Sequence, residues 1–245
     1  MTSRVQLVAQ FRAVQEVDSQ PSLSRLISFL KIHPDFLESL LDVVFKIKTM
    51  ANFASEWPGH KKRLRGSVLP NSEKQYLQDF LRLVEQLYDS PHGQRDLSED
   101  DYLGRLRGRL AERLVIDPLS SRFAGDGCQF ADNPLVKIDG KTVKHKGKST
   151  IDVGGIKEGP KSGVLLEVKV SPSLFSTDCC DYLALLKAEI TAIGFDTEVG
   201  GITLASKGVF ETGGPFSGLR RSYAQLSWLA REDIPELRFD VRRLA

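Results

Sequence analysis

The stretch STIDVGGIKEGPKSGVLLEVKV, Ser149 to Val170, decides the fold. It reads as two strands joined by a turn rich in Gly, Pro and Lys. The second strand, Gly163 to Val170, is a run of Val and Leu broken only by Glu167 and Lys169. A buried strand carries charge at a cost, because a buried ion must be neutralised, paired or bound to metal. Residues two apart on a strand share a face. Glu167 and Lys169 therefore point one way, while Val164, Leu166, Val168 and Val170 point the other way into the core. If the first strand pairs beside the second, Asp152 reaches the same edge, and two carboxylates and one ammonium converge at a strand end. Hard carboxylate oxygens suit Mg²⁺. A lysine beside such an ion can orient or deprotonate a water, and the ion stabilises charge developing on a phosphate. The competing reading is a solvated edge strand whose charges pair for little energy. The apolar flanks argue against it, since an edge facing water shows more polar positions.

Outward from this stretch, strand-like segments at Pro134–Asp139, Lys141–His145 and Thr150–Ile156 precede the Gly163–Val170 strand, with Asp139-Gly140 a strong hairpin turn signal. A helix over Thr177–Ile193, a strand over Gly201–Ala205, a Gly-rich loop, a helix over Leu219–Ala230 and a strand over Leu237–Arg242 follow. Upstream, SEDDYLGRLRGRLAERLV opens with Ser98 and acids and closes with arginines, as a helix dipole favours. This is an α/β order with a mixed sheet. The first 95 residues read differently. LSRLISFLKI, DFLESLLDVVFKIKTM and SEKQYLQDFLRLVEQLY repeat apolar residues at three- and four-residue spacing, so this part is an all-α domain. Trp57 to Pro70, WPGHKKRLRGSVLP, reads as a loop with a basic cluster, and Ser90 to Asp96 as a turn-rich domain boundary. The expected division is 1–95 and 96–245.

The 245 residues, 41% hydrophobic and 27% charged with a net charge of +2, describe a folded soluble chain and leave any nucleic-acid-binding surface local. Three cysteines without a C-x-x-C spacing argue against a disulfide framework or structural zinc and for a reducing cytoplasm. No apolar segment approaches the ~20 residues that span a bilayer, and MTSRVQLVAQF lacks the apolar core of a signal peptide.

Asp152, fourteen intervening residues and then Glu167-Val168-Lys169 resemble the motif of the PD-(D/E)XK nuclease superfamily, the restriction-endonuclease-like and Holliday-junction-resolvase-like fold. The setting is similar too: helix, hairpin, Asp strand, E-x-K strand, helix. Ile151 stands where the motif has Pro. The likeness covers residues 99–245. It implies a central mixed sheet flanked by helices, with Asp152, Glu167 and the Val168 carbonyl holding Mg²⁺ (Mn²⁺ substituting) and Lys169 positioning the attacking water. It further implies DNA cleavage to a 5′-phosphate and a 3′-hydroxyl, in restriction, phage defence or repair. RGRLAERLV, Arg107 to Val115, is similar to the helix that supplies an extra acid in the resolvase branch, with Glu112 at the matching position. On a helical wheel, however, Glu112 lies opposite Leu103, Leu110 and Leu114, which makes it equally a surface partner of Arg109 or Arg113.

KIDGKTVKHKGK, Lys137 to Lys148, adjoins Asp152 and offers Lys141, Lys144, Lys146 and Lys148 as a grip on a DNA backbone. Lysines guarding an exposed edge explain the same residues. HKKRLR, His60 to Arg65, is read chiefly as a solvated face. The expected partners are double-stranded DNA and, because duplex cleavage needs two scissions, a second copy of the chain. The rival function is a catalytically inactive DNA-binding or assembly protein on the same fold.

Overall fold

A computed structural model of the chain describes residues 4–10, 20–66, 70–89 and 98–238. It divides into two compact units, Met1–Arg12 with Ala111–Ala245, and Ala13–Leu110.

The Ala13–Leu110 unit is helical throughout its described residues. It holds α1 (Pro21–Ile32), α2 (Leu37–Lys46), α3 (Met50–Gly66), the single turn α4 (Asn71–Lys74), α5 (Leu77–Asp89) and the first half of α6 (Glu99–Arg122). The apolar stripes read from the sequence are the buried faces: Leu23, Leu26, Ile27 and Leu30 of α1, and Leu77, Phe80, Leu81, Val84 and Leu87 of α5. The loop expected over Trp57–Pro70 is instead the second half of α3, up to Gly66, despite Pro58 inside it. Packing outweighs the proline's missing donor. Trp57 is buried with its indole N–H donating to Glu85 at 2.9 Å, and Phe53 stacks between Trp57 and Tyr88. In the basic cluster, His60 is buried and Lys61 pairs with Glu85 at 2.8 Å.

The first residues do not belong to the helical unit. Val5–Ala9 forms β1, which pairs antiparallel with β3 (Pro134–Ile138), and β3 pairs in turn with β4 (Lys141–Thr142). Val5 is 1% exposed and sits in the core of the larger unit. The division expected at 95/96 thus differs from the compact units at both ends: β1 lies with the sheets, and α6 contributes to both units. Ser90–Asp96 lies outside the described residues.

The larger unit is α/β, with a mixed five-stranded sheet in the order β2-β5-β6-β7-β8. β2 (Cys128–Asp132), β5 (Val153–Lys157) and β6 (Ser162–Lys169) are antiparallel, while β7 (Asp196–Thr203) and β8 (Ser227–Leu229) run parallel to β6. Asp139 and Gly140 both take positive φ, 48° and 80°, as the two-residue hairpin between β3 and β4 requires. α7 (Thr177–Ala192), capped by Ser176, packs on one face through Cys179, Tyr182, Leu183 and Leu186 with Leu165, Val199 and Trp228. On the other face the ring of Phe123 occupies the space a side chain at Gly155 would take.

Several elements depart from expectation here. β2 is not among the expected strands, and the strand expected over Gly201–Ala205 is β7, which starts at Asp196 and ends at Thr203. The helix expected over Leu219–Ala230 is the short α8 (Ser217–Ser222) followed by β8. Gly200 lets the Ser227 backbone approach so closely that a side chain would collide with it, so the chain joins the sheet as a strand. Of the strand expected over Leu237–Arg242, Leu237 and Arg238 lie in a 3₁₀ turn, Pro235–Arg238, and the remainder lies outside the described residues.

Candidate active site

The β5–β6 register pairs Val153 with Leu166, so Asp152, one residue before β5, stands opposite Glu167. Glu167 and Lys169 share a face, and the alternation carries Leu165 and Val199 onto the α7 side with them. Asp152 and Glu167 are 8% and 3% exposed.

Lys169 joins them. Its ammonium lies 2.7 Å from Glu167 Oε1 and 3.3 Å from Asp152 Oδ2. Asp152 Oδ2 also accepts the Val168 N–H at 2.8 Å. In an antiparallel ladder a residue directs its N–H and C=O to the same neighbour, so the Val168 carbonyl faces the Asp152 side, beyond the end of β5. The three charges and the carbonyl singled out in the sequence thus share one strand end.

The electrostatics are those of a site short of positive charge. Burial pushes the Asp152 carboxyl up to about 6, with Glu167 and then Glu112 opposing its ionisation and Lys169 and the Val168 N–H favouring it. For Lys169, burial works against the charge, but Asp152 and Glu167 outweigh it and hold the ammonium above its ordinary value. Cys179 on α7 is pushed up to about 12, by burial first and then by Glu167, so it is an uncharged wall. Glu167 Oε2 is buried without a hydrogen-bond partner, and so is the Tyr182 hydroxyl. An orphaned carboxylate oxygen beside a second buried carboxylate that resists ionisation fits a hard divalent cation, which would satisfy both.

Glu112 is 8% exposed, which corrects the wheel reading of a surface residue. The second half of α6 is buried on more than one side, with Ala111, Leu114, Val115, Ile116 and Leu119 all enclosed, so it has no single core stripe. Arg113 pairs with Asp117, at 3.4 Å.

The hairpin lysines separate into groups. Lys141 and Lys144 are exposed. Lys146 is 3.0 Å from Asp178 and 3.9 Å from Asp181. Lys148 turns toward the carboxylates: its ammonium lies 3.0 Å from Glu167 Oε1 and over the Tyr182 ring. A tight turn, His145 to Lys148, returns it there, with Lys146 and Gly147 at positive φ and both backbone bonds between His145 and Lys148 at 2.9 Å. The sequence singles out Lys148 as a DNA-binding lysine but not as a neighbour of Glu167; K-G within KHKGK is the only signal of the turn. His145, Asp178 and Asp181 also hold potential ligand atoms within 4.8 Å of one another. Lys146 already supplies that group with an ammonium, and Tyr223 donates to Asp181 at 2.8 Å.

No family model matches the chain, and no curated protein matches it. Protein VC1899 from Vibrio cholerae, known from a crystal structure, is similar over 97% of this chain and 57% of its own, at 13% identity and a TM-score of 0.43. The chain therefore spans little more than half the length of that protein. No helix among the described residues is long and apolar enough to cross a membrane.

Proposed function

We propose that the protein is a Mg²⁺-dependent deoxyribonuclease that hydrolyses phosphodiester bonds in double-stranded DNA. The observation that carries this reading is the buried pair Asp152 and Glu167 sharing the ammonium of Lys169, with one Glu167 oxygen orphaned. Asp152, Glu167 and the Val168 carbonyl would hold Mg²⁺, which when bound supplies charge stabilisation at a phosphate and acidifies a water. Lys169 holds the attacking water and steadies it as it loses its proton. Lys148 holds Glu167 in its orientation, and its ammonium offers a donor to a non-bridging phosphate oxygen. Glu112 adds negative charge beside Asp152 and so raises affinity for a cation. Cleavage of both strands needs two sites, so the reading includes a homodimer, with the helical Ala13–Leu110 unit serving assembly or target choice. The cysteines described are all free, as suits a reducing cytoplasm.

The test is nicking of supercoiled plasmid by purified protein with MgCl₂ or with EDTA. Metal-dependent nicking that Asp152→Ala and Lys169→Ala each reduce at least a hundredfold, with unchanged circular dichroism, is the expected result. DNA binding without nicking in Mg²⁺ or Mn²⁺ would replace the enzyme with an inactive DNA-binding protein on the same fold.

A further inference from the structure

The pairing register sets Glu167, Gly201 and Trp228 side by side on β6, β7 and β8. Directly paired residues of adjacent strands project to the same face. The carboxylate site and Trp228 therefore lie on the α7 face, two strand spacings apart, or about 10 Å. Phe175 fills the gap over Gly201, where a side chain's Cβ would come within 2.6 Å of its ring, and meets Trp228 edge-on at 5.3 Å.

Beyond Trp228 opens a cavity of about 1010 Å³, lined by Lys207, Ser217, Arg220, Arg221, Trp228 and Asp233 among others. Its one carboxylate is already compensated: Asp233 accepts the Ala230 N–H at 2.8 Å and Lys207 Nζ at 3.3 Å. Arg220 and Arg221 are exposed, and neither has an ion-pair partner among the described residues. The lining thus presents two uncompensated guanidiniums beside hydroxyl donors and an aromatic floor. Guanidinium forks match phosphate oxygens bidentately. The volume is ample for a nucleotide, and the cavity lies along β8, the edge strand of the sheet, with all three β8 residues in its lining.

We propose that the cavity under α8, with Arg220 and Arg221 as its anion-binding residues, is a site for a phosphate-bearing nucleotide. In the proposed nuclease that nucleotide belongs to the substrate strand, a few residues from the bond held at Asp152 and Glu167; this assignment of source rests on that function. A free nucleotide presents the same phosphate.

The full-length protein is tested in EDTA, so that binding is read without cleavage and without the metal site. One arm measures anisotropy of a fluorescein-labelled 16-base duplex and single strand at several salt concentrations. The other titrates 2′-deoxyadenosine 5′-monophosphate by calorimetry. Wild type is compared with R220Q/R221Q and with Ser217→Trp, which fills the cavity without changing charge; circular dichroism checks their folding. A loss of DNA affinity of at least tenfold, with the R220Q/R221Q salt slope lowered by about two, establishes the strand as occupant. Loss of mononucleotide binding with DNA binding unchanged establishes the free nucleotide. No binding by wild type, or equal binding by all three proteins, overturns the proposal. Plasmid nicking by wild type, run separately, shows whether the nuclease reading fails, and neither binding arm depends on it.

Discussion

The ammonium of Lys148 stands 3.0 Å from Glu167 Oε1, the oxygen that also accepts from Lys169 at 2.7 Å. One carboxylate oxygen is thus held between two cations, while its neighbour Oε2 has no hydrogen-bond partner. This arrangement fixes the carboxylate's orientation, and in the proposed site one cation would serve its free oxygen and Asp152 together.

Lys148→Met is expected to lower turnover by roughly 10- to 100-fold, the scale of losing one preorganised charge contact. Lys141→Gln with Lys144→Gln is expected to do the opposite: turnover at saturation stays, while DNA affinity falls and its salt slope drops by about two. Steady-state nicking over a range of DNA and salt concentrations separates the two. Equal behaviour of the two variants would return Lys148 to the backbone-gripping lysines.

The pH dependence follows from Asp152. Its folded carboxyl titrates at about 6, above the ordinary 3.8, so the folded apo protein binds this proton more tightly than the unfolded chain does. A raised folded pKa gives stability that is complete below the unfolded value and is lost as pH rises to the folded one. Between pH 4 and 6 the apo wild type therefore loses stability relative to Asp152→Asn, by on the order of 2 kcal/mol in all. Denaturant titrations of both proteins at each pH measure the difference. Because a bound cation must displace the same proton, Mn²⁺ affinity by calorimetry is expected to fall as pH drops through 6, approaching tenfold per unit below it.

Val5 is 1% exposed within the core of the larger unit, far in sequence from β3, with which it pairs. Val5→Ala is expected to cost about 1–3 kcal/mol, read as a fall in Tm of several degrees, and a chain starting near residue 96 is expected to be unstable for lack of β1. A shortened chain as stable as the whole would show that β1 adds nothing to the sheets.

Gly200→Ala is expected to be more damaging than Gly201→Ala. The first would drive a methyl into the Ser227 backbone and separate β8 from β7, whereas the second meets the ring edge of Phe175, which can turn aside. Thermal denaturation orders the two. Gly201→Ala also moves the ring between the carboxylates and Trp228, so it is expected to alter DNA affinity while β8 stays paired.

The strand that carries Glu167 and Lys169 was legible because its signal is local. Val and Leu alternate with Glu167 and Lys169 over one strand, and a single antiparallel pairing brings Asp152 opposite. Lys148 was not legible, since its position depends on a two-residue turn with Lys146 at φ 44°, a conformation its sequence does not favour. Glu112 fell on the polar side of a wheel drawn for a one-faced helix, and α6 is enclosed on several sides. β1 offered five residues and no partner within 120 positions. β8 is three residues long, and its membership in the sheet depends on what Gly200 lacks rather than on its own sequence. α3 runs through Trp57-Pro58-Gly59, where local preference favours a turn and the packing of Trp57 overrides it.

The central claim is that Asp152 and Glu167 share one divalent cation. A crystal of the full-length protein soaked in Mn²⁺, with anomalous scattering recorded, measures this directly. The account predicts a single strong peak within coordination distance of carboxylate oxygens from both residues, with Glu167 Oε2 among the ligands, and no such peak in Asp152→Ala crystals soaked alike. Mn²⁺ bound only at His145, Asp178 and Asp181, with Lys169 still bridging Asp152 and Glu167, would contradict it.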